Sequence, residues 1–220
     1  MSEHLGFSRS TVYRYLADLC EHGLLAQGSG NAFVLGPKIF SLEYRLRKSD
    51  PLTLAGRPIV QSLVEEFGGT ALVNRLFRDR FICVEFETSL PEGQETHRRG
   101  QPMPLVRGAN ARAIQAHLPR HRLVRIYEEN AAEFAASGLG RDFGELQTKL
   151  REVRAAGVCL SDGELRPGIV GIAAPILVGP DTVVGTLGFV DRSDALGDRR
   201  RKEIMAQVRL TARILSRQLS

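Results

Sequence analysis

The run from His4 to Leu25, HLGFSRSTVYRYLADLCEHGLL, constrains the fold more than any other stretch of its length. Gly6 interrupts a short helical turn, and Ser8 or Ser10 can cap the next helix by accepting a bond from an orphan N–H. Val12, Leu16 and Leu19 recur at i, i+4 and i+7, which draws an apolar stripe down one helix face. The other face opens with Arg9, Ser10, Thr11, Tyr13 and Arg14, and Gly23 stops the helix. A helix held by its stripe, with a polar N-terminal face pushed outward, suits the DNA major groove. There arginine reads guanine, and Ser, Thr and Tyr hold phosphates. Taken alone, the same helix is equally an amphipathic one with a solvated face. The residues beyond Gly23 favour the first reading. Leu24 and Leu25 begin an extended run, Gln27-Gly28-Ser29-Gly30-Asn31 turns, and Ala32, Phe33, Val34 and Leu35 run back. A hairpin directly after a recognition helix makes a winged helix.

SRSTVYRYLADLCEHGLL followed by NAFVLGPKIFSLE resembles the DNA-binding end of the IclR family of bacterial transcriptional regulators. The resemblance implies DNA contacts from Ser8, Arg9, Ser10, Thr11, Tyr13 and Arg14. Family members carry a further helix before this point. This chain begins at Met1 within what would be the second helix, so the expectation is either a start that is wrong or cut, or a missing first helix. That would leave Val12, Leu16 and Leu19 partly uncovered.

With 220 residues the chain fits one large domain or two smaller ones. Its longest apolar runs are too short to span a bilayer, and no basic-then-apolar leader follows Met1. The expected address is the cytoplasm, with no membrane partner. A net charge of +5 permits a nucleic-acid partner without requiring one. Many basic residues lie far from the recognition helix, in Arg199-Arg200-Arg201-Lys202 and at Arg209, Arg213 and Arg217. These read as the solvated side of a terminal helix, with a nucleic-acid contact as the alternative. Cys20, Cys83 and Cys159 are odd in number and far apart, which argues for packing rather than disulfides or zinc. The histidines show no metal-ligand spacing, so neither metal nor cofactor is expected.

Gly36-Pro37 starts a helix whose Ile39, Phe40, Leu42, Tyr44 and Leu46 make a wide apolar face ending near Asp50. Such a face needs a partner, and a homodimer or tetramer is the preferred one, because recognition helices work in pairs. Asp50-Pro51 restarts a helix that Gly68-Gly69 ends. Thr70–Phe77 and Phe81–Thr88 then read as a hairpin around Arg78-Asp79-Arg80. Ser89 to Gly100 is polar, a third strand or a loop. A Gly/Ala-rich segment from Arg107 leads into a helix expected to reach Leu118. Its free amides and dipole could receive a ligand, or its small residues could simply pack closely. Helices follow from Pro119 to about Glu133 and from Asp142 to Ala156. Val158–Leu160 is a short strand and Ser161–Gly168 a loop. Two apolar strands, Ile169–Val178 and Thr182–Val190, read as the covered middle of a sheet. A terminal helix from Arg199 to Leu219 carries Ile204, Val208, Leu210, Ile214 and Leu215.

Two later segments are similar to the same family: the Gly/Ala-rich entry, and Gly157–Val178, where Asp162, Glu164, Gly168 and Ala173-Ala174-Pro175 fall in register. The resemblance implies an α+β protein. It would comprise a partial winged helix-turn-helix over 1–36, a linker helix over 37–50, and a GAF-like effector-binding domain with an antiparallel sheet over 51–220. It places a small organic effector, acidic or aromatic, against Met103, Ala109, Asn110, Ser161, Asp162, Gly171, Gly188 and Val190. Arg107, Arg99 and His97 are candidate charge partners. Glycine and valine where the family often has cysteine and serine suggest a ligand larger or more apolar than a two- or three-carbon acid. The expected function is regulation of transcription on a double-stranded operator, controlled by that effector. The alternatives are a sensing and dimerisation module that has lost DNA binding, or an enzyme using Asp162 and Glu164. No nucleophile elbow, phosphate loop or metal triad supports catalysis.

Overall fold

The computed structural model describes residues 6–78, 80–91 and 97–219. The first residues of the opening run, Asp79 in the hairpin turn, and 92–96 of the polar stretch lie outside them. The chain divides into two compact units, Met1–Asp50 and Pro51–Ser220.

In the smaller unit α1 spans Arg9–Glu21. Ser8 rather than Ser10 caps it: Ser8 has extended dihedrals and its Oγ accepts from the Thr11 N–H at 3.3 Å. The stripe is covered unevenly. Val12 is 8 % exposed, Leu16 is half-buried and Leu19 is 37 % exposed. Gly23, at φ 71°, ends the helix and turns the chain into β1 (Leu25–Gln27). That strand pairs antiparallel with β2 (Phe33–Leu35), Ala26 opposite Val34. Next comes α2 (Lys38–Ser49), which buries none of its residues; Phe40 is 81 % and Tyr44 62 % exposed.

The larger unit is built on one antiparallel sheet. Its strands are β3 (Thr70–Phe77), β4 (Arg80–Thr88), β5 (Cys159–Asp162), β6 (Ile169–Val178) and β7 (Thr182–Arg192), in the order β4-β3-β7-β6-β5. Both faces of the middle strands are covered, as their apolar content requires. On one face α3 (Pro51–Phe67) and α8 (Asp198–Leu219) pack Val60, Leu63, Ile204 and Val208 against Val170, Ile172, Leu187 and Phe189. The other face carries α4 (Ala109–Gln115), α5 (Arg120–Glu129), α6 (Ala131–Ala136) and α7 (Phe143–Ala156). There Ile114, Phe134, Leu146 and Leu150 meet Leu72, Phe81 and Cys83.

Several sequence expectations need correction. The helix expected to reach Leu118 ends at Gln115. The single helix from Pro119 is two, because Asn130 leaves helical geometry at φ −135° and its Nδ2 donates to the Ile126 carbonyl at 2.8 Å. Strand β5 takes in Ser161 and Asp162, which the sequence assigned to the loop. On α8 Leu210 and Ile214 are exposed rather than part of the core face. Of the polar stretch after β4, residues 100–103 run beside that strand, with Gly100 N–H bonded to the Cys83 carbonyl and Met103 N–H to that of Phe81. Among the described residues no helix is long and apolar enough to cross a membrane.

Candidate functional site

A cavity of about 230 Å³ lies between α4, the ends of β5, β6 and β7, and the segment after β4. Met103, Ala109, Asn110, Ser161, Gly171 and Val190 from the sequence reading line it, with His97. Period-two geometry explains the strand members. Val170 and Ile172 point into the α3–α8 core, so Gly171 faces the cavity. Ser161 lies opposite Gly171 in the β5–β6 register, and Val190 is opposite it on β7.

A buried amide network sets the orientation of Asn110. Asn74, at a bulge in β3, donates from Nδ2 to Asn110 Oδ1 at 3.0 Å and to Thr186 Oγ1 at 3.1 Å. Thr186 donates to the same Oδ1 at 2.7 Å. With Oδ1 taken twice, the Asn110 Nδ2 has no partner among the described residues and stands as a donor at the cavity wall. Gly188 does not line the cavity. It lies behind Asn110, where a Cβ would come within 2.7 Å of Asn110 Oδ1.

Three further sequence expectations fail on geometry. Arg107 turns away to Glu133 at 2.9 Å. Arg99 pairs with Glu85 at 3.2 Å, a carboxylate that Arg57 also holds at 3.1 Å. Asp162 leaves the cavity for Arg201 of α8 at 2.9 Å. The amides at the start of α4 are not free for a ligand either. Gly108 N–H donates to Glu164 Oε2 at 3.1 Å and Ala109 N–H to Ser161 Oγ at 3.1 Å. Glu164 also takes the Arg112 guanidinium at 2.5 Å. Asp162 and Glu164 therefore serve different arginines on different elements and do not form a catalytic carboxylate pair.

The cation that does line the cavity was missed. Arg166 sits in the β5–β6 loop, and among the described residues it has no carboxylate partner. Its only signal in the sequence was a basic residue just before Pro167-Gly168 and an apolar strand. Among the described residues no aspartate or glutamate lines the cavity, while Leu165, Ile169 and Pro102 add apolar wall. Burial, aided by the Arg166 charge, pushes His97 down to about 4, so near neutrality its imidazole is uncharged. Burial also raises the thiols of Cys83 and Cys159 to about 12, which fits packing rather than nucleophilic roles. No cluster of three or more metal-ligating side chains occurs among the described residues.

The His97 shift has a consequence for stability. A histidine whose folded pKa lies below its unfolded value binds its proton more readily when unfolded. Stability should therefore fall as pH drops from about 6.5 towards 4. Urea midpoints measured across this range should decline less steeply in His97→Gln than in the parent.

On α1, Ser8, Arg9, Ser10, Tyr13 and Arg14 are exposed and Thr11 half-buried. Arg14 lies 5.8 Å from the Tyr15 ring centroid, and Tyr15 meets Phe7 edge-on at 6.1 Å. Tyr15, absent from the sequence reading, thus steadies Arg14 through cation–π contact. All six side chains sit on or beside the first turn and a half of the helix.

Comparison with known proteins gives two family matches. The family described as bacterial transcriptional regulator IclR C-terminal matches residues 47–217, and the IclR helix-turn-helix domain matches residues 1–29. The HTH-type transcriptional regulator Rv1719 of Mycobacterium tuberculosis is 28% identical over 175 residues, 79% of this chain and 66% of its own length. The HTH-type transcriptional regulator BhcR of Paracoccus denitrificans is 29% identical over 181 residues, 80% of this chain and 63% of its own length. The chain thus spans about two thirds of these curated relatives. An IclR transcriptional regulator from Alicyclobacillus acidocaldarius superposes with a TM-score of 0.81 at 21% identity, covering 100% of this chain and 88% of that one. The Thermotoga maritima IclR gives 0.71 at 16% identity, with 99% and 88% covered.

Proposed function

The chain belongs to the IclR family of bacterial transcriptional regulators, and from that premise we propose that it binds double-stranded operator DNA under the control of a small organic acid. In this reading α1 enters the major groove with Arg9 and Arg14 towards base edges, and Ser8, Ser10, Thr11 and Tyr13 on the backbone. The acid sits in the cavity beneath β6, and α2 carries the effect of its binding to the recognition helices. The exposed apolar side chains of α2 suit pairing with a second copy, which sets two recognition helices on two half-sites.

One observation carries the effector reading. Among the described residues, a cavity of about 230 Å³ has an arginine without a carboxylate partner, an amide donor without an acceptor and no acid in its lining. Ser161 strengthens it: its Oγ accepts from the Ala109 N–H at 3.1 Å and donates to the Gly171 carbonyl at 3.5 Å, a long, weak bond that a carboxylate acceptor can replace. Arg166, Asn110 and Ser161 would hold the carboxylate, while Met103, Leu165, Ile169 and Val190 cover an apolar body.

The test is a panel of organic acids and their amides, scored by melting temperature and then by calorimetry. Acids should stabilise the protein and shift its operator affinity, and the matching amides should not. Arg166→Gln should weaken acid binding about tenfold, since a hydrogen bond to a charged group is worth about 1.5–3 kcal/mol. Equal binding of acids and amides, or an unchanged affinity in the variant, would refute the anion reading.

A further inference from the structure

A second concave site lies at the other end of the sheet. It is a depression of about 420 Å³ lined by Arg154 of α7, Arg209, Arg213 and Arg217 of α8, and His117. It shares no lining residue with the cavity around Asn110.

The arginines of α8 recur at every fourth position, so they stack on one helix face. Like charges at that spacing destabilise a helix. On the same helix Arg199 pairs with Glu203 at 2.9 Å and Arg201 with Asp162 at 2.9 Å. Among the described residues, Arg154 alone in the depression has a carboxylate, that of Asp181. Among the described residues Arg213 and Arg217 have no acidic partner, and Arg209 reaches only the Ala156 carbonyl, at 3.4 Å. The helix dipole favours a cation in the last turn, which accounts for Arg217 but not for Arg209 or Arg213. His117 adds a buried Nδ1 without a hydrogen-bond partner. The two central arginines close over the end of α7. A Cβ at Gly157 would lie 3.7 Å from both Arg209 Cδ and Arg213 Nη2.

We propose that this depression is a second anion site, for a small molecule carrying two or more linked phosphates. Guanidinium forks match phosphate oxygens two at a time. Four residues of helix rise about 6 Å, so successive arginines meet successive phosphates, whereas a lone carboxylate would engage only one. The concave shape suits a small polyanion rather than the long track of a duplex backbone. The site does not depend on the organic-acid reading of the other cavity.

Inorganic tripolyphosphate is the first probe, followed by ATP without magnesium, each titrated into the full chain at fixed ionic strength. Tripolyphosphate should bind saturably and raise the melting temperature, and sulfate at matched ionic strength should not. An Arg213→Gln, Arg217→Gln variant should bind it at least tenfold more weakly; both residues are exposed, so the fold survives. Arg166→Gln should bind it normally. ATP binding more tightly than tripolyphosphate would identify a nucleotide as the source of the phosphates; equal binding would identify an inorganic chain. The proposal falls if sulfate reproduces the shift, if no saturation occurs, or if the double variant binds tripolyphosphate like the parent. It falls equally if that variant loses operator affinity while the parent shows no polyphosphate binding.

Discussion

Gly171→Phe is expected to weaken effector binding at least a hundredfold while the protein remains folded. The position is a bare stretch of β6 facing the cavity. A Cβ there meets only Ser161 Oγ, at 3.0 Å, and the Ala109 methyl, at 3.8 Å. The hydroxyl must give by a few tenths of an ångström, lengthening its bond from the Ala109 N–H, and the ring then enters empty space rather than packed core, which avoids most of the usual cost of overpacking of about 1–3 kcal/mol. Its backbone conformation is one any residue adopts, so losing glycine there introduces no strain. The ring occupies the volume that the apolar body of the acid needs, and it displaces Ser161 from the carboxylate. A hundredfold loss corresponds to about 2.8 kcal/mol, at about 1.4 per factor of ten. Calorimetry with the best acid from the panel measures it, and circular dichroism and the ligand-free melting temperature report the fold. An affinity within threefold of the parent would remove this cavity as the effector site.

The sequence made the framework legible where periodicity and punctuation agree. The apolar runs at 169–178 and 182–190, the hairpin before them and the glycine stops at 23 and 157 reappear as elements with nearly the expected bounds. Failure came where a distant side chain decides the outcome. Asn130 breaks a continuous helical pattern by bonding its own preceding turn. The start of α4 looked like an open amide nest, but Glu164 and Ser161, more than fifty residues on, fill it. Arg107 looked like an anion partner until Glu133 claimed it, and Arg166 looked like a loop residue because nothing local says which way a loop side chain turns. The strand positions were easier. Once Ile172 is known to be core, Gly171 must face the opposite side.

At the recognition helix, an Arg9→Ala, Arg14→Ala variant should lose operator affinity by roughly 30-fold to 20,000-fold. Each arginine bidentate to guanine is worth about 1–3 kcal/mol, so two together remove about 2–6. Neither change should unfold the unit. Both side chains are exposed, and the cap that starts the helix belongs to Ser8, whose Oγ accepts from Thr11. Salt dependence separates the two ways of losing affinity. If an arginine neutralises a phosphate, its removal lowers the slope of log affinity against log salt by about one; if it reads a base, affinity falls with little change in slope. Arg14, held against the Tyr15 ring, is the better candidate for base reading, because a side chain already fixed loses less freedom on docking. Fluorescence anisotropy with DNA from upstream of the gene, at several salt concentrations, gives both numbers. Arg47→Ala is the control. That arginine pairs with Glu43 on α2 at 3.8 Å and should leave affinity within about twofold. Should the double variant also stay within twofold at moderate salt, α1 would be a solvated amphipathic helix and the operator, if bound, would be read elsewhere.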